Sequence, residues 1–237
     1  MDCFRISDSR PVGWRKGFRF KMPIKLLDST LVSLTLSVYD WAHYTAIKGA
    51  FKMHTLLDYD SLRPEFVNIT DGKVGDNKAA FDIEVNPFSV VVADRGYCDY
   101  SLLNHWDSNN VFFVVRHKDN IRYMSIEERP LPEKRAQNVL IDEVIEFELP
   151  AARAKYPQRL RRIAVWNEEH GFVVELLTNN FTLAASTIAA LYKARWKIEI
   201  FFRNLKQLLR IKSFIGTSRN AVETQIWTAL ATMLLFC

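Results

Sequence analysis

Two short, unbroken apolar runs restrict this chain to a fold built around a buried sheet. They are residues 88–93 (FSVVVA) and 111–115 (VFFVV). Runs of this length, rich in β-branched and aromatic residues and bounded by polar residues, predict strands that are covered on both faces. Residues 98–108 between them have a helical pattern, so the centre of the chain is predicted to be mixed α/β.

The flanking segments extend this pattern to a sheet with helices on both faces. The order three strands, helix, strand, helix, strand, insertion and long helix is that of a ribonuclease-H-like fold. The predicted elements are strands at 23–36, 52–57 and 65–70, a short helix at 76–81, and a long helix at 182–212 that opens with Thr182 or Ser186 as N-cap.

Residues 118–181 differ from the rest of the chain because apolar and acidic residues alternate there and Pro130 and Pro132 interrupt them. A hairpin is predicted around residues 167–170. We interpret this stretch as a β-rich insertion before the last helix. The chain then divides into a core, residues 1–117 and 182–237, and an insertion, residues 118–181.

Composition excludes several classes of protein. A chain of 237 residues with 49% hydrophobic residues is long and apolar enough for a packed core, which excludes wholesale disorder. Cys3, Cys98 and Cys237 are odd in number and far apart, so they predict neither a disulfide framework nor a metal knuckle. The N-terminus has no apolar stretch typical of a signal peptide, and no uncharged segment reaches the length of a membrane span. We therefore expect a cytoplasmic protein without a membrane partner.

The basic residues are concentrated in two segments, although the net charge is only +5. Residues 1–27 hold seven Lys or Arg and two acids, and residues 192–219 hold eight Lys or Arg and a single acid, Glu199. Clusters of this kind attract polyanions such as DNA. The alternative is an ordinary solvated surface.

The single acid lies on a narrow polar face of the predicted long helix. With 3.6 residues per turn, this face also carries Tyr192, Arg195 and Lys206, with Arg203 and Arg210 beside them. Glu199 has two interpretations. It can pair with an arginine one turn away, which contributes a few tenths of a kcal/mol, or it can bind a metal between phosphate-binding cations.

Two further carboxylates belong to predicted strands. Asp28 interrupts an apolar strand, and Asp94 directly follows a buried one. An unpaired charge in such a place is costly, so each needs a turn, a helix cap, an ion pair or a metal. If the two strands are neighbours, the two carboxylates lie side by side. Together with Glu199 they would form the oxygen-rich site that Mg²⁺ prefers, and a pair of ions about 4 Å apart can drive phosphodiester chemistry.

The segment Tyr192-x-x-Arg195-x-x-x-Glu199-x-x-x-x-x-x-Lys206 resembles the Y-R-E-K signature of the insertion sequence four family of bacterial DDE transposases. Further segments agree with this family: Leu27-Asp28-Ser29-Thr30, Trp41-Ala42, Lys48-Gly49-Ala50, Lys52-x-His54 and Asp94-Arg95-Gly96-Tyr97. The resemblance extends from about residue 20 to residue 215. The gap between Asp94 and Glu199 is longer than that between Asp28 and Asp94, which leaves room for the insertion that family members carry.

The resemblance implies a ribonuclease-H-like catalytic domain that cleaves and joins DNA. It implies Asp28, Asp94 and Glu199 as the catalytic and metal-binding triad, holding two Mg²⁺ ions for which Mn²⁺ can substitute. The implied partners are transposon-end and target DNA in the bacterial nucleoid, bound by a homodimer in a synaptic complex. The expected DNA contacts are Tyr192, Arg195, Lys206, Trp196, Arg203 and Arg210.

Trp196 follows the signature arginine, where relatives stack a flipped base. Packing against the insertion is the alternative role for this side chain. Trp166 in the predicted hairpin is a second candidate for stacking. His54 is expected to be structural.

We expect the chain to be a catalytic core that lacks the N- and C-terminal regions of full family members. Two other functions stay open from the sequence. The first is an inactive transposase remnant that only binds DNA, and the second is a ribonuclease-H-like nuclease without strand transfer.

Overall fold

The computed structural model describes residue 18 and residues 20–33, 50–118, 121–131, 138–209 and 218–236. Within these residues, nine strands form one sheet that is flanked by six α-helices. The strands are β1 (Ile24–Ser33), β2 (Ala50–Asp58), β3 (Pro64–Asp71), β4 (Val90–Ala93), β5 (Phe112–Arg116), β6 (Tyr123–Glu128), β7 (Val139–Phe147), β8 (Leu160–Asn167) and β9 (Phe172–Thr178). The helices are α1 (Asp76–Ala80), α2 (Tyr100–Ser108), α3 (Pro150–Lys155), α4 (Ala185–Ala194), α5 (Trp196–Leu209) and α6 (Arg219–Phe236).

The strand order across the sheet is β3-β2-β1-β4-β5-β9-β8-β7-β6. The first three strands form an antiparallel meander, whereas β1, β4 and β5 are parallel neighbours. Parallel strands need crossover connections, and α2 supplies the one between β4 and β5. The predicted ribonuclease-H-like mixed sheet with flanking helices is therefore confirmed.

Both faces of the central strands are buried, as the apolar runs predict. All four residues of β4 are buried because alternate side chains enter different cores. On one face, Val90 and Val92 pack in a cluster with buried residues of α4, α5 and α6. On the other face, Val91 and Ala93 pack in a cluster with residues of α2 and α3.

The predicted β-rich segment forms four strands that continue the main sheet. β9 pairs antiparallel with β5, opposing Val115 to Leu177, and β8, β7 and β6 follow outward. The predicted hairpin around residues 167–170 is present as the turn between β8 and β9. The division into a core and an insertion stays a prediction, since the sheet runs through both parts.

The predicted single long helix is wrong in two respects. It is divided at Arg195 into α4 and α5, where the Arg195 N–H donates to Tyr192 and the Ile198 N–H donates to Arg195, both three residues back. Such 3₁₀-type bonds inside a helix often mark a functional position. In addition, α4 begins at Ala185 without a side-chain cap, because the hydroxyl of the expected cap Thr182 donates to Asn180 instead.

Several predictions fall on residues outside the described ranges. These are strand residues 34–36, Trp41-Ala42, Lys48-Gly49, Arg210, Cys3 and Cys237. Cys98 is described and is buried as a free thiol. No helix in the described part of the chain is long and apolar enough to cross a membrane.

Candidate active site

The parallel pairing of β1 with β4 brings Asp28 and Asp94 to the same end of the sheet. The register opposes Leu27 to Ala93 at the last pair, and the two aspartates are the next residue of each strand. Because both strands run in the same direction, the two carboxylates follow this pair side by side. Their juxtaposition, expected only if the strands were neighbours, is thus present.

Asp94 does not serve as a helix cap, which was the alternative for this residue. A short 3₁₀ turn, Arg95–Tyr97, follows it, and its side chain makes no capping hydrogen bond. The cap of α2 is Asp99, which accepts hydrogen bonds from the Ser101 and Leu102 N–H groups. The Asp94 carboxylate instead accepts a hydrogen bond of 3.1 Å from the Tyr192 hydroxyl.

Arg195, at the break between α4 and α5, connects the remaining two carboxylates. Its guanidinium donates to Asp28 Oδ2 at 3.0 Å and to Glu199 Oε1 at 2.6 Å. The helical pairing of Glu199 with Arg195, which was the structural interpretation of Glu199, is therefore real. The same arginine also binds Asp28, so the pairing places Glu199 at the site rather than away from it.

Burial outweighs the favourable positive charge at Asp28, whose side chain is 18% exposed. Burial raises the pKa of Asp28 to about 6, against the opposing effects of Arg195 and of the Ser29 N–H, while the charges of Asp94 and Glu199 add to the rise. Burial also raises the pKa of Tyr192 to about 12, with a further contribution from the Asp94 charge. Tyr192 is therefore a neutral hydrogen-bond donor at physiological pH.

The chemistry of the donor set fits a hard divalent cation, because all three groups are carboxylates and the charges of Asp94 and Glu199 both act on Asp28. Proteins of the DDE type generally use divalent metal ions. Among the described residues, however, no three His, Cys, Asp or Glu side chains are close enough to hold a metal ion. In this arrangement the Arg195 guanidinium is the positive charge between Asp28 and Glu199.

Of the other residues predicted to contact DNA, Trp196, Arg203 and Lys206 belong to α5, whereas Arg210 is outside the described residues. Trp196 is 54% exposed, and the Arg203 guanidinium lies 6.0 Å from its ring centroid. Lys206 is half-buried, and burial lowers its pKa. Trp166 is 40% exposed in the β8–β9 hairpin. The structure thus brings Tyr192 and Arg195 to the carboxylates and leaves Trp196 and Arg203 on the surface.

Sequence reasoning missed one group at this site, the carboxylate of Asp76. It accepts a hydrogen bond from the Ser29 hydroxyl, directly beside Asp28. The sequence predicts the short helix that begins at Asp76, but its local pattern does not distinguish this carboxylate from Asp71 or Asp82. The only available signal was the Lys52-x-His54 motif, whose two side chains also face Asp76.

Sequence comparisons agree with these features. The chain matches the family described as "Transposase DDE domain" over residues 19–235. "Putative transposase y4zB" of Sinorhizobium fredii is 34% identical over 208 residues, which cover 87% of this chain and 58% of that protein. "Probable transposase for insertion sequence element IS5377" of Geobacillus stearothermophilus is 29% identical over 226 residues, covering 93% and 58%. The chain thus spans less than two thirds of the length of these relatives.

The fold is similar to that of a transposase of known structure. A piggyBac transposase in a synaptic complex with hairpin DNA superposes with a TM-score of 0.53 at 12% sequence identity. The similarity covers 90% of this chain and 46% of that chain. At this identity it supports the mixed sheet with flanking helices and nothing beyond the fold.

Proposed function

The chain belongs to the transposase DDE domain family, and from this premise we propose that it is the catalytic part of a DNA transposase. Its reaction would be Mg²⁺-dependent hydrolysis of a phosphodiester bond at the end of an insertion element, followed by transfer of the freed 3′-hydroxyl strand. The substrates would be transposon-end and target DNA in the bacterial nucleoid, and two protomers would hold the ends in a synaptic complex.

One observation carries this proposal: three carboxylates from distant parts of the chain are connected through two residues of one helical segment. Arg195 bonds to Asp28 and Glu199, and Tyr192 bonds to Asp94. A purely structural use of Glu199 would need only its helical neighbour. The additional bonds to both aspartates, Asp28 within β1 and Asp94 after β4, support a common site.

Asp28, Asp94 and Glu199 would hold Mg²⁺, or Mn²⁺ in its place, as two ions. When bound, the cations would activate the attacking oxygen and stabilise the leaving oxygen. The positive charge of Arg195 would then no longer be needed between Asp28 and Glu199. The side chain sits at the junction of α4 and α5, from which it could reach a DNA phosphate instead.

The DNA would lie along α5. Arg203, Lys206 and Arg210, the last outside the described residues, would contact phosphates together with Tyr192 and Arg195. Trp196 supports this placement because an exposed tryptophan can stack on an unpaired base, a contact worth about 1–3 kcal/mol. Its neighbour Arg203 would add a charge beside the stacked base.

The test is nicking of supercoiled plasmid by this chain in Mn²⁺. The parent is expected to nick, and Glu199→Ala is expected to lose nicking while it keeps most of its DNA binding. Glu223→Ala is the matched control, because Glu223 also pairs with an arginine four residues away, Arg219, at 2.8 Å. This control should nick like the parent.

Three results would contradict the proposal in different ways. Equal nicking by the parent and Glu199→Ala would place the activity at another site. DNA binding without nicking by a folded parent would favour a remnant that only binds DNA. Nicked products that are never joined to target DNA, even with cognate ends supplied, would favour a nuclease without strand transfer.

A further inference from the structure

A second polar cluster lies behind Asp28, on the opposite face of the sheet from Glu199. Successive side chains of a strand point to opposite faces, so Asp28 faces α5 whereas Ser29 faces α1. The Ser29 hydroxyl donates to Asp76 Oδ1 at 2.6 Å. Asp76 is the first residue of α1 and is half-buried. This carboxylate is therefore separated from the proposed metal site by a single residue of β1.

Ser29 also contacts the Asp28 carboxylate directly. Its backbone N–H donates to Asp28 Oδ1 at 2.8 Å. The pairing of β1 with β4 ends at Leu27, so Asp28 and Ser29 lie just beyond the paired part of these strands. The bond from the Ser29 N–H therefore fixes one carboxylate oxygen of Asp28, while Arg195 binds the other.

Asp76 is itself held from β2 by the two residues of the Lys52-x-His54 motif. Lys52 Nζ lies 3.2 Å from Asp76 Oδ1, and His54 Nδ1 lies 3.7 Å from the same oxygen. His54 is fully buried directly opposite Ser29, and its Nε2 lies 3.0 Å from the Thr70 hydroxyl. The lysine supplies the charge that a half-buried carboxylate needs, and the His54 ring lies next to the same carboxylate oxygen.

The other oxygen of Asp76 faces the turn that carries Asp94. A Cβ added to Gly96 would lie 3.3 Å from Asp76 Oδ2, so glycine at this position allows the turn to lie close to the carboxylate. Asp76 thus lies between Ser29, next to Asp28, and Gly96, two residues after Asp94. A carboxylate that served only the first turn of a five-residue helix would need neither contact.

We propose that Asp76 is a positioning residue that acts through the Ser29 hydroxyl to orient the Asp28 carboxylate for a divalent cation. This inference rests on the proposed function, because it assigns Asp28 to the metal site. The Lys52-x-His54 motif then supports the site from behind the sheet. Residues that orient a metal ligand typically change metal affinity or activity 10–100-fold when they are replaced.

The first test measures Mn²⁺ binding by the chain without DNA, using electron paramagnetic resonance. Ser29→Ala and Asp76→Ala should each weaken Mn²⁺ binding at least tenfold, whereas Ser29→Thr keeps the hydroxyl and should stay within twofold of the parent. Ser61→Ala is the matched control, because it removes a serine–aspartate bond of 2.8 Å to Asp58 at a remote turn. Unchanged binding in Ser29→Ala would overturn the proposal.

The second test follows nicking as a function of Mn²⁺ concentration. Ser29→Ala should raise the half-saturating Mn²⁺ concentration at least tenfold and regain most of the parent rate at saturation. Loss of folding alone would lower the rate at every concentration, so a loss that high Mn²⁺ does not recover would contradict positioning. Ser29→Ala removes only one hydroxyl and is expected to fold, so the test can be made with this variant alone if Asp76→Ala does not fold.

A crystal structure of metal-free Ser29→Ala separates this inference from the proposed function. The Asp28 carboxylate is expected to turn away from the Ser29 position, so that Oδ1 loses its bond to the backbone N–H. An unmoved carboxylate would overturn positioning by Asp76 even if the parent cleaves DNA. If the carboxylate moves in Ser29→Ala but the parent neither binds Mn²⁺ nor nicks DNA, positioning is supported and the proposed function is refuted.

Discussion

Replacing Asp28 by Asn should stabilise the metal-free fold while abolishing its metal-dependent chemistry. The ionised Asp28 is held in a largely buried place beside two other carboxylates, and this raises its pKa from 3.8 to about 6. Arg195 compensates only part of the cost. Asparagine keeps the shape of the side chain without its charge, so it resembles the protonated aspartic acid.

The magnitude follows from the pKa difference between the folded and unfolded states. One pKa unit corresponds to about 1.4 kcal/mol, so a rise from 3.8 to about 6 costs the ionised form on the order of 3 kcal/mol. The folded state retains its proton up to a higher pH than the unfolded state does. The free energy of unfolding of the parent should therefore fall, relative to Asp28→Asn, as the pH rises from about 4 to 6, and the difference should then stay constant.

The assay is urea unfolding at several pH values from 4.5 to 7.5, followed by tryptophan fluorescence in the presence of EDTA. At pH 7.5, Asp28→Asn should be more stable than the parent by about 2–3 kcal/mol, and the advantage should shrink as the pH falls towards 4.5. Asp82→Asn, which removes an exposed carboxylate, is the matched control. A difference between Asp28→Asn and the parent that is independent of pH, or a less stable Asp28→Asn at pH 7.5, would refute this account of the site.

Three further predictions concern the β-rich strands and the DNA surface. Asp142→Ala should reduce the free energy of unfolding in urea by about 3–5 kcal/mol, because it leaves the buried Arg161 guanidinium without a carboxylate partner. In the parent, this guanidinium donates two hydrogen bonds of 2.7 Å to Asp142. Glu169→Ala removes one partner of the exposed Glu169–Lys193 pair and should reduce the free energy of unfolding by less than about 1 kcal/mol. Equal losses of stability in Asp142→Ala and Glu169→Ala would contradict the role of burial. Lys206→Ala should weaken binding to DNA of any sequence and reduce the slope of log affinity against log salt by about 1, as measured by fluorescence anisotropy. An unchanged slope would remove Lys206 from the phosphate contacts. Tyr192→Phe deletes the 3.1 Å bond to Asp94 and should lower the nicking rate while changing the free energy of unfolding by only about 1 kcal/mol; a parent-like rate would leave that bond without a role in catalysis.

Local sequence patterns predicted the central strands and the positions of the acids along them. The apolar runs at 88–93 and 111–115 correspond to β4 and β5, because consecutive apolar side chains on a strand are buried on both faces only when the strand lies between two layers. The same patterns located Asp28 within a strand and Asp94 at the end of another. The helical spacing placed Arg195 one turn before Glu199, and this pair is present.

Patterns that depend on competition between local contacts were harder to predict. Thr182 was an acceptable N-cap by residue type. Its hydroxyl donates a hydrogen bond to the Asn180 side chain instead, and α4 begins later and without a side-chain cap. The break at Arg195 leaves no trace in residue type, since alanine, arginine and tryptophan are all compatible with a continuous helix. Both differences arise from a few hydrogen bonds whose partners the sequence does not identify.

By itself, the sequence determined the central strands and which side chains share a face, since those properties follow from period and residue type. The tertiary structure decided which strands are neighbours. The pairing of β1 with β4 places Asp28 beside Asp94, and the packing of α1 against the far side of the sheet places Asp76 behind them. Arg195 reaches Asp28 across 167 positions of the chain. Contacts over such separations depend on the packing of the whole core, and no local pattern specifies that packing.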